Sequence, residues 1–214
     1  MPEMTAERRE RLRKAAYQRQ HNFTVLLENV HDPHNISAVM RSCEAVGIPE
    51  IYILYTDPQL QETWIELGRK SSAGARKWLD VHYYTQMDNC VEALRQKYRY
   101  LYATHLDADA VSLHDMDMTT SLALVFGNEH DGVSEALLSQ MDGNFIIPQM
   151  GMVQSLNISV ACAVSVFEGL RQRLEKGFYH NNNPSAPALQ EATFQSYLSR
   201  HDNKVKNKKV KRLD

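Results

Sequence analysis

The chain has 214 residues, 43% of them hydrophobic, and a formal net charge of −2, so it can bury a real core and is not a disordered polyelectrolyte. No apolar run approaches the roughly 20 residues of a membrane span, and the charged N-terminus MPEMTAERRERLRKAAYQRQ lacks the apolar core of a signal peptide. Cys43, Cys90 and Cys162 are odd in number and scattered, which excludes a disulfide framework and a zinc spacing; a cytoplasmic protein is expected.

Charge is distributed unevenly. Residues 1–19 carry +3 and residues 200–214 carry +5, so within a total of −2 the body between them carries −10. Basic ends on an acidic body suit arms that reach for a polyanion, because Lys and Arg displace counterions from phosphates. They also suit tails that merely solubilise, and charge alone does not choose between the two.

Taken in order, residues 5–20 predict a helix with a thin apolar stripe of Leu12, Ala15 and Ala16, which is expected to dock on a partner or a substrate. FTVLLE (23–28) predicts a buried strand, followed by a helix from about His34 to Val46 that stops at Gly47. EIYILY (50–55) is the next strand. Residues 56–77 predict a loop with at most one short helix, and Arg69 to Gly74 (RKSSAG) reads as a mobile segment suited to phosphate. A strand at 78–84, a helix at 86–98 and a strand at 98–104 follow, then a loop with a short turn over 105–120. LALVF (122–126) is a strongly apolar strand ending at Gly127; 133–140 is a short helix, and 144–148 a strand stopped by Pro148. Residues 155–175 form the longest apolar-periodic helix, 180–188 a linker, and 189–200 a small helix before a lysine-rich tail.

Short apolar strands alternating with helices predict an α/β fold with a mostly parallel sheet and helices on both faces. Ligands in such sheets gather beyond the carboxyl ends of the strands, and the polar clusters fall on the loops after Glu28, Ala103, Phe126 and Ile147. In NVHDPHNISAVMRSC (29–43) Pro33 opens a helix, Asn35 and Ser37 are placed to cap its first turn, and Arg41 sits among small and apolar neighbours, where an Arg is usually paired or aimed into a site. His31 and His34 lack further ligands at metal spacing, so no metal is expected. FGNEHDGVSEALL (126–138) has the outline of a nucleotide-binding turn without GxGxxG or a Walker lysine; Glu129 and Asp131 read as paired acids or as a solvated turn. In IIPQMGMVQSLNIS (146–159) Ser155 and Asn157 precede a long helix whose free N–H groups suit an anionic ligand, while Met150 and Met152 fit an adenine pocket or simple packing.

Together, NVHDPHNISAVMRSCEAVG, LVFGNEHDGVS and IPQMGMVQSLNISVACA resemble, in order and spacing, the three motifs of the SpoU family of RNA ribose 2′-O-methyltransferases, within the SPOUT superfamily, over residues 23–176. The basic helix before FTVLLENV, the phrase HDPHNISA and FEGLRQRLEKGFY are most similar to its tRNA guanosine-methylating branch. The resemblance implies a SPOUT fold whose C-terminal half threads a trefoil knot, which periodicity alone would not reveal, and an obligate homodimer that completes the site. It also implies that Thr104, Gly127, Ile147 and Leu156 hold S-adenosyl-L-methionine, and that Asn35, Arg41, Glu129, Ser155 and Asn157 form the reaction centre, with no metal. Arg8, Arg9, Arg11, His34, Arg171 and Arg173 are the candidate RNA contacts.

The expected organisation is therefore a basic N-terminal helix (1–20), a methyltransferase domain (21–178), and a linker, short helix and basic tail (179–214). The expected activity is 2′-O-methylation of tRNA, at the D-loop guanosine. Methylation of ribosomal RNA or of another tRNA nucleotide, and a non-catalytic RNA-binding scaffold, are the alternatives.

Overall fold

The computed structural model describes residues 4–67, 74–153, 155–180, 182–202 and 208–214. A seven-stranded, wholly parallel sheet forms its centre, built from β1 (Phe23–Glu28), β2 (Glu50–Leu54), β4 (Asp80–Tyr84), β5 (Tyr100–Thr104), β6 (Val111–Ser112), β7 (Leu122–Phe126) and β8 (Gly143–Ile146). The spatial order is β4-β2-β1-β7-β5-β8-β6. The middle strands β1 and β7 are buried at every position, which their unbroken apolar runs require.

Side-chain alternation along β1 sorts the helices onto two faces. Phe23, Val25 and Leu27 meet the buried residues of α2 (Pro33–Ala45) and α5 (Ile158–Glu175), among them Val39, Met40, Cys43, Cys162 and Val166. Leu26 lies on the opposite face with Cys90, Val91 and Leu94 of α3 (Met87–Arg95) and Leu137 of α4 (Glu135–Leu138). At about 1.5–3 kcal/mol per buried aliphatic side chain, these two layers supply the main driving force for the sheet.

Several sequence expectations change. The helix expected from residue 155 starts at Ile158, and its cap is Asn157, whose side chain accepts from the Ser159 N–H. On α2 the cap is Asp32, accepting from His34 N at 2.8 Å with Pro33 next to it, whereas Asn35 and Ser37 are buried inside the helix. The loop expected at 56–77 contains β3 (Trp64–Leu67), and the lysine-rich tail ends in β9 (Lys208–Lys211), which pairs antiparallel with it. The RKSSAG segment lies, but for Gly74, outside the described residues.

The N-terminal helix α1 (Ala6–Tyr17) does not wait for an outside partner. Its Leu12 and Ala16 are buried against Phe194 and Tyr197 of the chain's own α6 (Pro187–Asp202). Arg19, 2% exposed, pins this pair to the end of α2: Nε donates to the Tyr197 hydroxyl, Nη1 to the carbonyls of Glu44 and Ile48, and Nη2 to the Glu44 carboxylate at 3.0 Å. A buried guanidinium is tolerable there because each of its three nitrogens finds an acceptor.

Candidate active site

Three loops at the carboxyl ends of the strands converge on one hydrogen-bonded triangle. Asn35, on the first turn of α2, donates from Nδ2 to Glu129 Oε1 at 2.8 Å. Asn157 donates from Nδ2 to the same oxygen at 2.8 Å and to Asn35 Oδ1 at 3.1 Å. Asn157 Oδ1 is occupied by the N–H and hydroxyl of Ser159, which fixes the orientation of its amide. Glu129 thus has one oxygen held by two donors, while Oε2 takes no hydrogen bond among the described residues.

The turn that carries Glu129 is tightly built. Asn128 Oδ1 accepts from His130 N and Asp131 N, both at 2.8 Å, and Gly132 N donates to Asn128 O at 3.1 Å. A Cβ at Gly127 would lie 1.9 Å from the Gly132 backbone, so only glycine lets the turn fold back on itself. Asp131 faces Asn128 Nδ2 at 3.4 Å and does not pair with Glu129, so the two acids have separate roles.

Glu28 is a residue that the sequence reading treated only as the end of a strand. It is 1% exposed, and its carboxylate accepts from Ser134 N at 2.8 Å, Ser134 Oγ at 2.6 Å and Thr56 Oγ1 at 3.4 Å. It ties the loops after β1, β2 and β7 into one frame. A charged residue closing an otherwise apolar buried strand was the available signal.

Beside the triangle, Thr104 donates from its hydroxyl to Val125 O at 3.3 Å, Ile147 is half-buried against the core, and Ser155 and Leu156 are exposed just before the cap of α5. The loop after β8 keeps its polar backbone open: among the described residues, no hydrogen bond engages the backbone of residues 149–153. Leu106, Met150, Met152 and Val153 stand exposed on the neighbouring loops after β5 and β8. Solvent-open backbone groups beside apolar side chains, next to a glycine turn that admits no Cβ, fit an amphipathic ligand such as a nucleoside.

Arg41 is not part of the triangle within the chain. Six residues beyond Asn35, it lies about 120° around the helix. It is exposed, makes no hydrogen bond or ion pair among the described residues, and lines a groove with Ala38, Ser42, Ala45 and Phe167. Phe167 belongs to an exposed apolar stripe on α5 with Val160, Val164 and Leu174.

The candidate RNA contacts separate sharply. Arg11 and His34 are exposed, and Arg8 lies half-buried with its guanidinium over the Trp78 ring at 5.9 Å. Arg173 is not a surface residue: it is 0% exposed and donates to Met118 O, Thr120 O, Gln20 Oε1 and Asn22 Oδ1 at 2.7–3.1 Å, over the face of Phe23. Burial pushes its guanidinium down to about 10, which still leaves it charged at neutral pH. Arg171, two residues earlier, is exposed, but its guanidinium is held by Glu168 and Glu175 at 2.7 Å each and is not a free phosphate ligand.

A parallel α/β sheet with these three loops defines an RNA methylase: residues 22–167 match the SpoU rRNA Methylase family, and the chain belongs to that family. It is 40% identical to the tRNA (guanosine(18)-2′-O)-methyltransferase of Thermus thermophilus, over 93% of this chain and 97% of that protein. Among solved structures, the TrmH/SpoU tRNA modifying enzyme of A. aeolicus superposes with a TM-score of 0.76 at 30% identity, covering 90% of this chain and 96% of that one. The AdoMet-bound rRNA methyltransferase from Sinorhizobium meliloti superposes with a TM-score of 0.60 at 25% identity, covering 74% of this chain and 59% of that one.

Proposed function

We propose that the chain transfers a methyl group from S-adenosylmethionine to the ribose 2′-hydroxyl of the D-loop guanosine of tRNA, acting as a cytoplasmic homodimer. The observation that carries this is the Asn35–Glu129–Asn157 triangle, which joins three sequence motifs at one point. Thr104, Gly127, Ile147 and Leu156, with the open backbone of residues 149–153, would hold the donor. When bound, the donor supplies an electrophilic methyl on a positively charged sulfonium.

The chain's own residues align and stabilise. The triangle holds the loops after β1, β7 and β8 in one arrangement, so the ribose meets preorganised groups. Glu129 Oε2 and the Ser155 hydroxyl remain available to orient the 2′-hydroxyl. Arg41 stabilises the developing alkoxide as a cation; a guanidinium does not give up its proton readily, so it is not the base.

The homodimer accounts for two otherwise unexplained features. An apolar stripe of Val160, Val164, Phe167 and Leu174 at helical spacing is costly to leave in water, and Arg41 stands beside it. Covering that stripe with a second copy would bring the partner's loops to Arg41. The trefoil knot is supported by the sheet order, in which β8, later in the chain, is inserted between β5 and β6. Arg8, Arg11 and His34 would meet the tRNA, while residues 21–178 carry the chemistry.

The test is methyl transfer from labelled donor onto total unmodified tRNA, followed by mapping of the labelled ribose. Label at one D-loop guanosine is expected, and Arg41→Ala should lower kcat by about 10²–10³. A pure dimer that leaves every tRNA ribose unlabelled refutes the reading; label elsewhere moves the substrate.

A further inference from the structure

A second cavity opens on the other side of the first turn of α2. It has a volume of about 280 Å³, and its lining includes Pro33, Ile36, Tyr55, Leu60, Glu62 and Glu66. Ile36 is the immediate neighbour of Asn35, so the cavity and the triangle share one turn of helix.

The walls are fixed before any ligand arrives. The Tyr55 hydroxyl donates to Val30 O at 3.1 Å, and its ring meets Tyr83 edge-on at 5.5 Å. The buried Tyr83 hydroxyl is 3.0 Å from both the N–H and the carbonyl of Glu62, fixing that segment at both of its backbone polar groups. Strand β9 braces β3 from behind, with buried Val210 opposite Ile65 and Arg212 N donating to Thr63 O at 3.0 Å.

The chemistry of the lining selects the ligand. The volume lies just under the 300 Å³ at which pockets for drug-sized ligands begin, and suits a single heterocycle. Aromatic, proline and aliphatic side chains offer flat contact, while the charged residues lining it are two carboxylates, with no Lys or Arg among the described lining residues. With the Glu62 carboxylate as an acceptor at its wall, such a site favours a neutral ring with adjacent N–H donors. Guanine has them at N1 and N2, a pair that a carboxylate accepts together, whereas adenine presents an acceptor at N1.

We infer that this cavity receives the base of the target guanosine and that Glu62, whose carboxylate takes no hydrogen bond or ion pair among the described residues, reads its N1–H and N2–H edge. The inference rests on the proposed ribose methylation and adds the residues that choose the base. An extruded nucleotide would then span the first turn of α2, with its ribose at the triangle and its base in the cavity.

The experiment uses full-length protein and unmodified tRNA transcripts carrying guanosine, inosine or adenosine at the mapped position. The wild-type order of kcat/KM is expected to be guanosine, then inosine, then adenosine. In Glu62→Gln, kcat/KM for guanosine should fall about ten- to hundredfold and the guanosine-to-adenosine ratio should collapse, with the donor's Kd unchanged. Leu60→Trp, which fills the cavity, should abolish transfer while keeping donor binding. Unaltered base ratios in Glu62→Gln, or full activity in Leu60→Trp, overturn the inference. Wild-type protein inactive on every transcript would instead overturn the proposed function.

Discussion

Replacing Arg173 with alanine distinguishes a structural cation from an RNA contact. The side chain sits on α5 with no exposure and satisfies the carbonyls of Met118 and Thr120 and the amide oxygens of Gln20 and Asn22. A buried acceptor stripped of its partner costs about 1–3 kcal/mol. Water entering the vacated space recovers part of that for the four acceptors, leaving a net loss of about 4 kcal/mol, at the upper end for point mutations. In a chain of this length each kcal/mol moves Tm by about 2–4 °C, so a fall of about 8–16 °C is expected by scanning calorimetry. A phosphate contact would behave differently: Tm would hold, and the slope of log affinity for tRNA against log salt would weaken by about 0.9. An unchanged Tm with that weaker slope refutes the structural role.

Three other measurements follow from the same geometry. Glu129→Ala removes the oxygen that both asparagines share, so methyl transfer should fall about 10²-fold or more in single-turnover assays; retained activity would show that the triangle is incidental. Phe167→Asp places a charge in the exposed stripe of α5 and should yield a monomer by light scattering with transfer lost; a persistent dimer places the interface elsewhere. Burial alone would raise the Glu50 carboxyl, but hydrogen bonds from His82 and Lys97 outweigh it and hold the carboxyl far below its usual range. Its stabilisation is therefore present above the ordinary carboxylate pKa of about 4.3 and is lost as pH falls below it. Glu50→Gln should flatten the acid limb of stability against pH in urea titrations, and an unchanged limb would show that other carboxylates control it.

Much of the site was legible because its motifs are local. NVHDPHNIS, GNEHDG and QSLNIS each carry their own cap or turn chemistry, and each falls where an apolar strand ends, so the site loops follow from pattern alone. The role of Asn35 was less legible. As a residue near a helix start it reads as a cap, but Asp32 takes that position and frees Asn35 to point at Glu129. The β3–β9 ribbon was hidden for another reason: KKVK has one apolar residue, and its partner strand lies more than a hundred residues away.

What the sequence by itself determined is the α/β class, the order of the main apolar strands and their helices, and the polar loops that meet in the hydrogen-bonded triangle, all set by periodicity and short-range turn preference. The tertiary structure decided which polar side chains meet. Arg171 and Arg173 are indistinguishable in FEGLRQRLE, yet about 200° of helical rotation sends one into water with two glutamates and the other beneath the sheet. Arg41 was equally ambiguous, and only the packing of α2 against α5 shows it unpaired beside the apolar stripe. A helix fixes angles between its own residues, but the elements packed around it determine whether each angle faces protein, solvent or substrate.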